Sequence, residues 1–209
     1  DLDIVLAASA SVGIGTWSSV PAAGVSFAPD ANDPNATVTV SSAGVYTLTW
    51  SVTNGVCTVS DDVVETFYVQ PVANAGGDQS VCGLNYTLSA VASVGSGVWT
   101  YAGPGIATFN STVIPNASVS VSVAGVYTFT WTETNGVCND NDDVAITFDA
   151  VPVISAGLDD TACDLDIVLA ASASVGIGTW SSVPAAGVSF APDANDPNAT
   201  VTVSSAGVY

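Results

Sequence analysis

Apolar and hydroxyl side chains alternate along residues 124–138, which read AGVYTFTWTETNGVC. One phase of the alternation holds the aromatic residues Tyr127, Phe129 and Trp131. A period of two is typical of a β-strand with one buried face, so the pattern predicts a strand whose aromatic side chains enter the core. The Asn135-Gly136 pair that follows favours a tight turn, because both residue types tolerate positive φ.

The same stretch recurs along the chain. Residues 43–57 match it at 12 of 15 positions, and AGVY occurs again at residues 206–209. Residues 164–209 are identical to residues 1–46 at all 46 positions. Such self-similarity is typical of a tandem array in which one structural unit is repeated.

The repeat unit is about 81–82 residues long, because its tryptophans and cysteines recur at intervals of 81 or 82 residues. Prolines at 71 and 152 mark the expected unit boundaries. We expect residues 1–70 to form a unit without its first strand and residues 71–151 to form a complete unit. Residues 152–209 are expected to form a unit that lacks its last two strands.

No stretch shows helical periodicity, and Gly, Pro and Asn turns separate the short alternating segments. In the complete unit the first predicted strand is 71–82, interrupted by glycine. The others are 86–92, 97–101, two within 106–123, the aromatic strand, and 142–148. Seven strands at this spacing predict an all-β protein of tandem immunoglobulin-like β-sandwiches arranged head to tail. Tyr127 occupies the position of the tyrosine corner of that fold.

The alternation also predicts core positions in the other strands. These inward residues are Ile4, Leu6, Ala8, Tyr86, Leu88, Ala90, Val144, Ile146 and Phe148. Glu65 departs from the pattern, because it stands where the middle unit has Ile146. Its carboxylate is expected either to reach solvent at a strand end or to belong to a pocket or cation site of the first unit.

The charge balance excludes several classes of function. Lys, Arg and His are absent and the net charge is −19, while an apolar content of 48% favours a packed core. Nucleic acid and anionic membranes are therefore poor partners. No apolar run is long enough for a membrane span. The missing residue types also exclude most acid–base and nucleophilic sites, and we expect no enzymatic activity.

Clustered aspartates at predicted turns are the candidate metal ligands. Hard oxygen ligands at loop tips suit calcium, although no EF-hand spacing is present. The candidates are Asp61, Asp62, Asp78, Asp140, Asp142, Asp143, Asp159 and Asp160. The alternative is that these aspartates are solvated turn residues that end strands and keep the array soluble. No other cofactor is indicated.

The segments ANAGGDQSVC, GVWT, AGVYTFTWTETNGVC and DDVAITF resemble PKD-like and Ig-like repeats of giant surface proteins of Bacteroidota. The resemblance covers the whole chain. It implies an extracellular tandem array, as in gliding-motility adhesins and other cargo of the type IX secretion system. It also makes Thr161, in the segment DTA, a candidate O-glycosylation site.

Three roles fit such an array. The leading interpretation is a stalk or filament shaft whose partners are neighbouring repeats or copies of the same protein. The alternatives are an adhesive module for glycans or surfaces, with Tyr101 as the main candidate contact, and accessory domains of a secreted enzyme.

The cysteines of an exported protein are expected to be oxidised. The four residues are Cys57, Cys82, Cys138 and Cys163. Sandwich topology places Cys82 and Cys138 at opposite ends of a unit, whereas a disulfide needs Cα atoms within about 7 Å. We therefore expect Cys138 to pair with a cysteine before residue 1 and Cys82 with one beyond residue 209, which would staple adjacent units. A bond between Cys82 and Cys138, free thiols and bonds between chains stay open.

Overall fold

A computed structural model of the chain describes residues 2–209. Every regular element in this range is a β-strand, and the range contains no helix. No candidate membrane-spanning helix occurs among the described residues. The predicted fold class, an all-β array of sandwich units, is confirmed.

The first unit contains six strands in two sheets. Its strands are β1 (Asp3–Val5), β2 (Ile14–Val20), β3 (Val25–Ala28), β4 (Thr37–Val40), β5 (Gly44–Asn54) and β6 (Cys57–Phe67). One sheet has the order β1-β4-β3 and the other the order β2-β5-β6, and all neighbours are antiparallel.

The middle unit has the same arrangement with one strand more. Its strands are β7 (Gln79–Cys82), β8 (Asn85–Thr87), β9 (Ser96–Ala102), β10 (Ala107–Phe109), β11 (Ser118–Val121), β12 (Gly125–Asn135) and β13 (Cys138–Asp149). The sheets have the orders β10-β11-β8 and β7-β13-β12-β9, and β7 runs parallel to β13. This strand count and pairing are those of an immunoglobulin-like sandwich.

The third unit has five short strands. They are β14 (Ile154–Ser155), β15 (Asp166–Val168), β16 (Ser172–Ala173), β17 (Val188–Ala191) and β18 (Thr200–Val203). One sheet has the order β15-β18-β17, and β14 pairs with β16.

The predicted inward phase forms the core. Tyr127, Phe129 and Trp131 are at most 1% exposed. Trp99 of β9 packs against Trp131 with ring centroids 5.1 Å apart, and Trp17 packs against Trp50 in the first unit at the same distance. Leu6, Leu88, Val144, Ile146 and Phe148 are likewise buried, while Ile4, Ala8, Tyr86 and Ala90 are partly buried against the cores.

The tyrosine corner occurs in all three units. The Tyr127 hydroxyl donates to the carbonyl oxygen of Val123 at 3.2 Å. The hydroxyls of Tyr46 and Tyr209 donate to carbonyl oxygens four residues upstream at 3.0 Å.

The first strand of the middle unit is interrupted at Gly76, as the glycines within the predicted strand 71–82 indicated, and only Gln79–Cys82 is paired as a strand. Its beginning lies beside the β8–β9 loop (residues 88–95), because the Val91 amide donates to the Asn74 carbonyl oxygen at 2.8 Å. The chain then changes sheet at Gly76, whose φ of +94° favours glycine, and continues as β7 along β13. The second predicted strand, 86–92, is shorter than expected because only β8 is paired as a strand.

The turn between β12 and β13 also differs from the expectation. Asn135 is still in the strand and pairs with Cys138, so Gly136 and Val137 form a two-residue loop. Only Gly136 has positive φ, at +62°. Glycine at the first loop position is typical of a type II′ turn, whose twist matches that of the hairpin.

Candidate functional site at the unit junction

The first and middle units meet at a specific contact between a linker and a hairpin. The linker (residues 68–72) follows β6, and the hairpin tip (residues 135–139) joins β12 to β13. The Tyr68 ring covers Gly136 so closely that a Cβ on Gly136 would lie 2.3 Å from ring atoms. Glycine is therefore required here both by the positive φ and by the tyrosine.

Polar contacts hold the rest of the linker. The side-chain amide of Asn135 donates to the Val69 carbonyl oxygen at 2.8 Å, and that of Gln70 donates to the Asn139 carbonyl oxygen at 2.8 Å. Pro71 is fully buried. The Val72 amide donates to the Ser93 hydroxyl at 2.9 Å. The linker is thus held between the hairpin tip and the β8–β9 loop.

Two of the predicted calcium ligands accept hydrogen bonds from backbone amides just after this linker. The Asp140 carboxylate accepts the Ala73 amide at 2.9 Å, and the Asp142 carboxylate accepts the Ala75 amide at 2.9 Å. Both aspartates lie on the inward phase of β13. Their side chains therefore bind the first strand before Gly76, where it has no backbone pairing with β13.

Asp78 acts in the same way from the other strand. Its carboxylate accepts the Ala145 amide at 2.8 Å, just before β7 begins to pair with β13. A buried amide without an acceptor would cost about 1–3 kcal/mol. Asp78, Asp140 and Asp142 thus act as hydrogen-bond acceptors for backbone amides.

Glu133 is a buried carboxylate at the same end of the middle unit. It is 1% exposed, and it accepts the Ser93 amide at 2.9 Å, the Val94 amide at 3.4 Å and the Trp131 indole N–H at 2.9 Å. The Ser93 hydroxyl also donates to it. Burial raises the pKa of the Glu133 carboxyl, but the hydrogen bonds from Ser93, Trp131 and Val94 outweigh burial and hold that pKa below its ordinary value.

The sequence contains a signal for Glu133 that the expectations above did not use. Glu133 continues the inward phase of Tyr127, Phe129 and Trp131. In the repeated 15-residue stretch, Val52 stands at its position. In the first unit the Trp50 indole N–H consequently has no hydrogen-bond partner, although the atom is buried.

The other predicted metal ligands do not converge. Asp61, Asp62, Asp143, Asp159 and Asp160 are exposed, and the Asp61 and Asp160 carboxylates accept the amide of the next residue. Among residues 2–209 no three acidic, cysteine or histidine side chains are placed to hold one ion. Calcium binding stays a prediction.

The four cysteines form no disulfide among the described residues. Cys82 lies beside Asp149 at the last residue of β13, while Cys138 is the first residue of that strand. A strand of this length separates them by about 35 Å, too far for a bond within the unit. Tyr68 is the counterpart of Asp149 and covers Gly136, two residues from Cys138. The disulfide predicted between adjacent units involves cysteines outside the described residues and stays a prediction.

Glu65, Thr161 and Tyr101 are the other residues for which the sequence indicated a role. Glu65 is half-buried on β6 opposite Tyr46, and Thr161 is exposed. Tyr101 is 38% exposed and lies 6.0 Å from the Phe109 ring, so it packs at the rim of the core. It is not in a loop.

No family model matches the chain, and no curated protein matches it. Among solved structures, titin domains I67–I69 in an E-to-A mutated variant share 13% identity over 92% of this chain and 78% of that one, with a TM-score of 0.47. Domains 4–9 of the surface layer protein SbsC share 17% identity over 96% and 36%, with a TM-score of 0.32. Extracellular domains 3–5 of Drosophila OTK share 14% over 92% and 76%, with a TM-score of 0.35. These superpositions are loose, and the fold assignment rests on the sheet topology.

Proposed function

We propose that this chain is a structural spacer, a stretch of an extracellular stalk or filament shaft of the kind its resemblance to bacterial surface repeats implies. The observation that carries the proposal is the junction between the first and middle units. A flexible linker would leave adjacent domains free to reorient. Here every linker residue from Tyr68 to Val72 is held by the following unit, through ring packing, burial or a hydrogen bond.

The chemistry of the chain suits this role. With no cationic side chain and a net charge of −19, the surface repels other copies sideways and remains soluble. A shaft needs stable contacts along its axis and few elsewhere, which agrees with uncharged contacts at the junction. The proposed partners are therefore neighbouring repeats of the same array.

The Tyr68–Gly136 contact provides a test with a matched control. Gly55 occupies the same turn in the first unit with φ of +63°, and a Cβ there would meet nothing within 4 Å. Gly136→Ala and Gly55→Ala therefore share the backbone strain of a side chain at positive φ, about 1–3 kcal/mol. Only Gly136→Ala must also displace the Tyr68 ring.

The measurement is ¹⁵N relaxation of the two units in solution. We expect the wild-type units and the Gly55→Ala variant to tumble as one elongated body. Gly136→Ala is expected to let them reorient separately while both stay folded. Independent tumbling of the wild-type units would contradict the proposed function.

A further inference from the structure

Glu133 is a charged group buried in a chain that has no cation to pair with it. The effective penalty for burying an unpaired ion is several kcal/mol, so such a group needs dense hydrogen bonding. Four donors supply it: the Ser93 amide and hydroxyl, the Val94 amide and the Trp131 indole. Three of the four belong to the β8–β9 loop, which joins the core to the junction.

A continuous hydrogen-bonded path runs from the core to the linker through this carboxylate. The Trp131 indole, in the centre of the core, donates to Glu133 at 2.9 Å. The Ser93 hydroxyl donates to Glu133 and accepts the Val72 amide of the linker at 2.9 Å. A hydroxyl that donates to a charged acceptor is fixed in orientation and becomes a better acceptor itself.

We propose that Glu133 is a positioning residue for the junction. It ties the β8–β9 loop to the core, and the linker is thereby clamped between a fixed loop and the hairpin tip. The proposal rests on the proposed function, because it assigns to Glu133 part of the stiffness that a spacer requires. Removing the carboxylate should loosen the linker without removing any residue that touches it.

The other two units show what Glu133 adds. In the first unit Val52 takes its place, and Trp50 lacks an indole partner. In the third unit Ser174 accepts the Val153 amide at 2.9 Å, as Ser93 accepts Val72. The serine contact therefore forms without a buried glutamate. What Glu133 adds is a buried acceptor that fixes the position of Ser93 relative to the core.

The first experiment compares two serine variants. Ser93→Ala breaks a path that continues to the core. Ser174→Ala breaks a contact of identical length that has no buried glutamate behind it, and it leaves the hydrogen bond from the Ser174 amide to the Val153 carbonyl oxygen, at 2.9 Å, in place. By residue-resolved hydrogen exchange, we expect the Val72 amide to lose about tenfold more protection in Ser93→Ala than the Val153 amide loses in Ser174→Ala. Equal losses would overturn the proposal.

The second experiment changes the carboxylate itself. Glu133→Val introduces the residue of the first unit, Glu133→Gln keeps one acceptor oxygen without charge, and Thr132→Val is a control on the opposite face of β12. We expect Val72 protection to fall most in Glu133→Val, less in Glu133→Gln and not in Thr132→Val. ¹⁵N relaxation should show looser coupling of the units in the same order.

The outcomes separate this inference from the proposed function. If the wild-type units are coupled and Glu133→Val, still folded, keeps both the coupling and Val72 protection, only the role of Glu133 is refuted. Should Glu133→Val unfold the middle unit, Glu133→Gln and the serine pair still decide. Uncoupled wild-type units would refute the proposed function, whatever Glu133 does.

Discussion

Residues 2–46 and 165–209 have the same sequence but different structures. The sheet β1-β4-β3 recurs as β15-β18-β17 with the same register, for example Ile4 opposite Val38 and Ile167 opposite Val201. Residues 14–20 form β2, whereas the identical residues 177–183 form no strand. The difference lies in the neighbour, because β2 pairs with β5, whereas residues 207–209, which repeat the start of β5, form no strand.

The comparison distinguishes structure that a segment forms by itself from structure that requires a neighbouring strand. Trp17 and Trp180 make the same indole hydrogen bond to a main-chain carbonyl, at 3.1 and 3.0 Å. Trp17 is buried against Trp50, while Trp180 stays half-buried. The small sheet thus forms from its own residues, but strand structure in β2 depends on packing against a partner, as is general for β-sheets.

The largest expected effect comes from weakening β5, which should make the first unit resemble the third. Leu48 is fully buried in β5, so Leu48→Ala should lower the free energy of unfolding of the first unit by about 2–5 kcal/mol. NMR-detected hydrogen exchange of residues 14–20 should then approach that of residues 177–183. Unchanged exchange in residues 14–20 would show that their strand structure does not need β5.

A matched pair of substitutions measures how much the sheet β2-β5-β6 adds to the packing of the sheet β1-β4-β3, and the expected effect is smaller. Val38 is fully buried, whereas the equivalent Val201 is only half-buried. We expect Val38→Ala to cost about 2–3 kcal/mol and Val201→Ala about 1 kcal/mol, because the cavity term applies fully only beneath a complete second layer. Local hydrogen exchange in each unit checks both values, and equal costs would mean that the second layer adds no packing at this site.

The smallest expected effect is a loss of stability of the middle unit at acidic pH. The hydrogen bonds of Glu133 keep its pKa below the ordinary value in the folded middle unit. Its stabilisation is therefore complete above the unfolded-state pKa and is lost as pH falls through the lower folded-state pKa.

The test is the melting temperature of the middle unit, followed by the NMR signal of the Trp131 indole N–H at a series of pH values from neutral to acidic. Asp140 faces Glu133 across the hairpin, and Asp142 faces Trp131. Glu133→Gln isolates the glutamate and should flatten the acid dependence in part. An identical pH profile in that variant would exclude the contribution of Glu133.

Alternation of side chains was sufficient to predict most of the core. Tyr127, Phe129 and Trp131 are buried as their phase requires, because one strand face must enter the core whatever its neighbours are. The break of the first strand is different. Gly76 in the sequence marks a bend, but only the surrounding strands determine which sheet each half joins.

The junction could be predicted only in part. The prolines at 71 and 152 marked the boundaries, but the Tyr68–Gly136 contact joins residues 68 positions apart and depends on how two folded units meet. Glu133 was detectable in principle, since it is the one acidic residue in the aromatic phase of β12. Its donors at Ser93 and Val94 lie about 40 residues away, and only the fold brings them there.

The parallel pairing of β7 with β13 has a mechanical consequence. The chain enters the middle unit at the hairpin end and leaves it at the opposite end, beyond Asp149. Tension along the array therefore pulls β7 and β13 in opposite directions along their own axes. Their hydrogen bonds are loaded together in shear, whereas an end-loaded hairpin opens one bond at a time. A unit built in this way resists stretching most strongly along the direction in which a stalk transmits force.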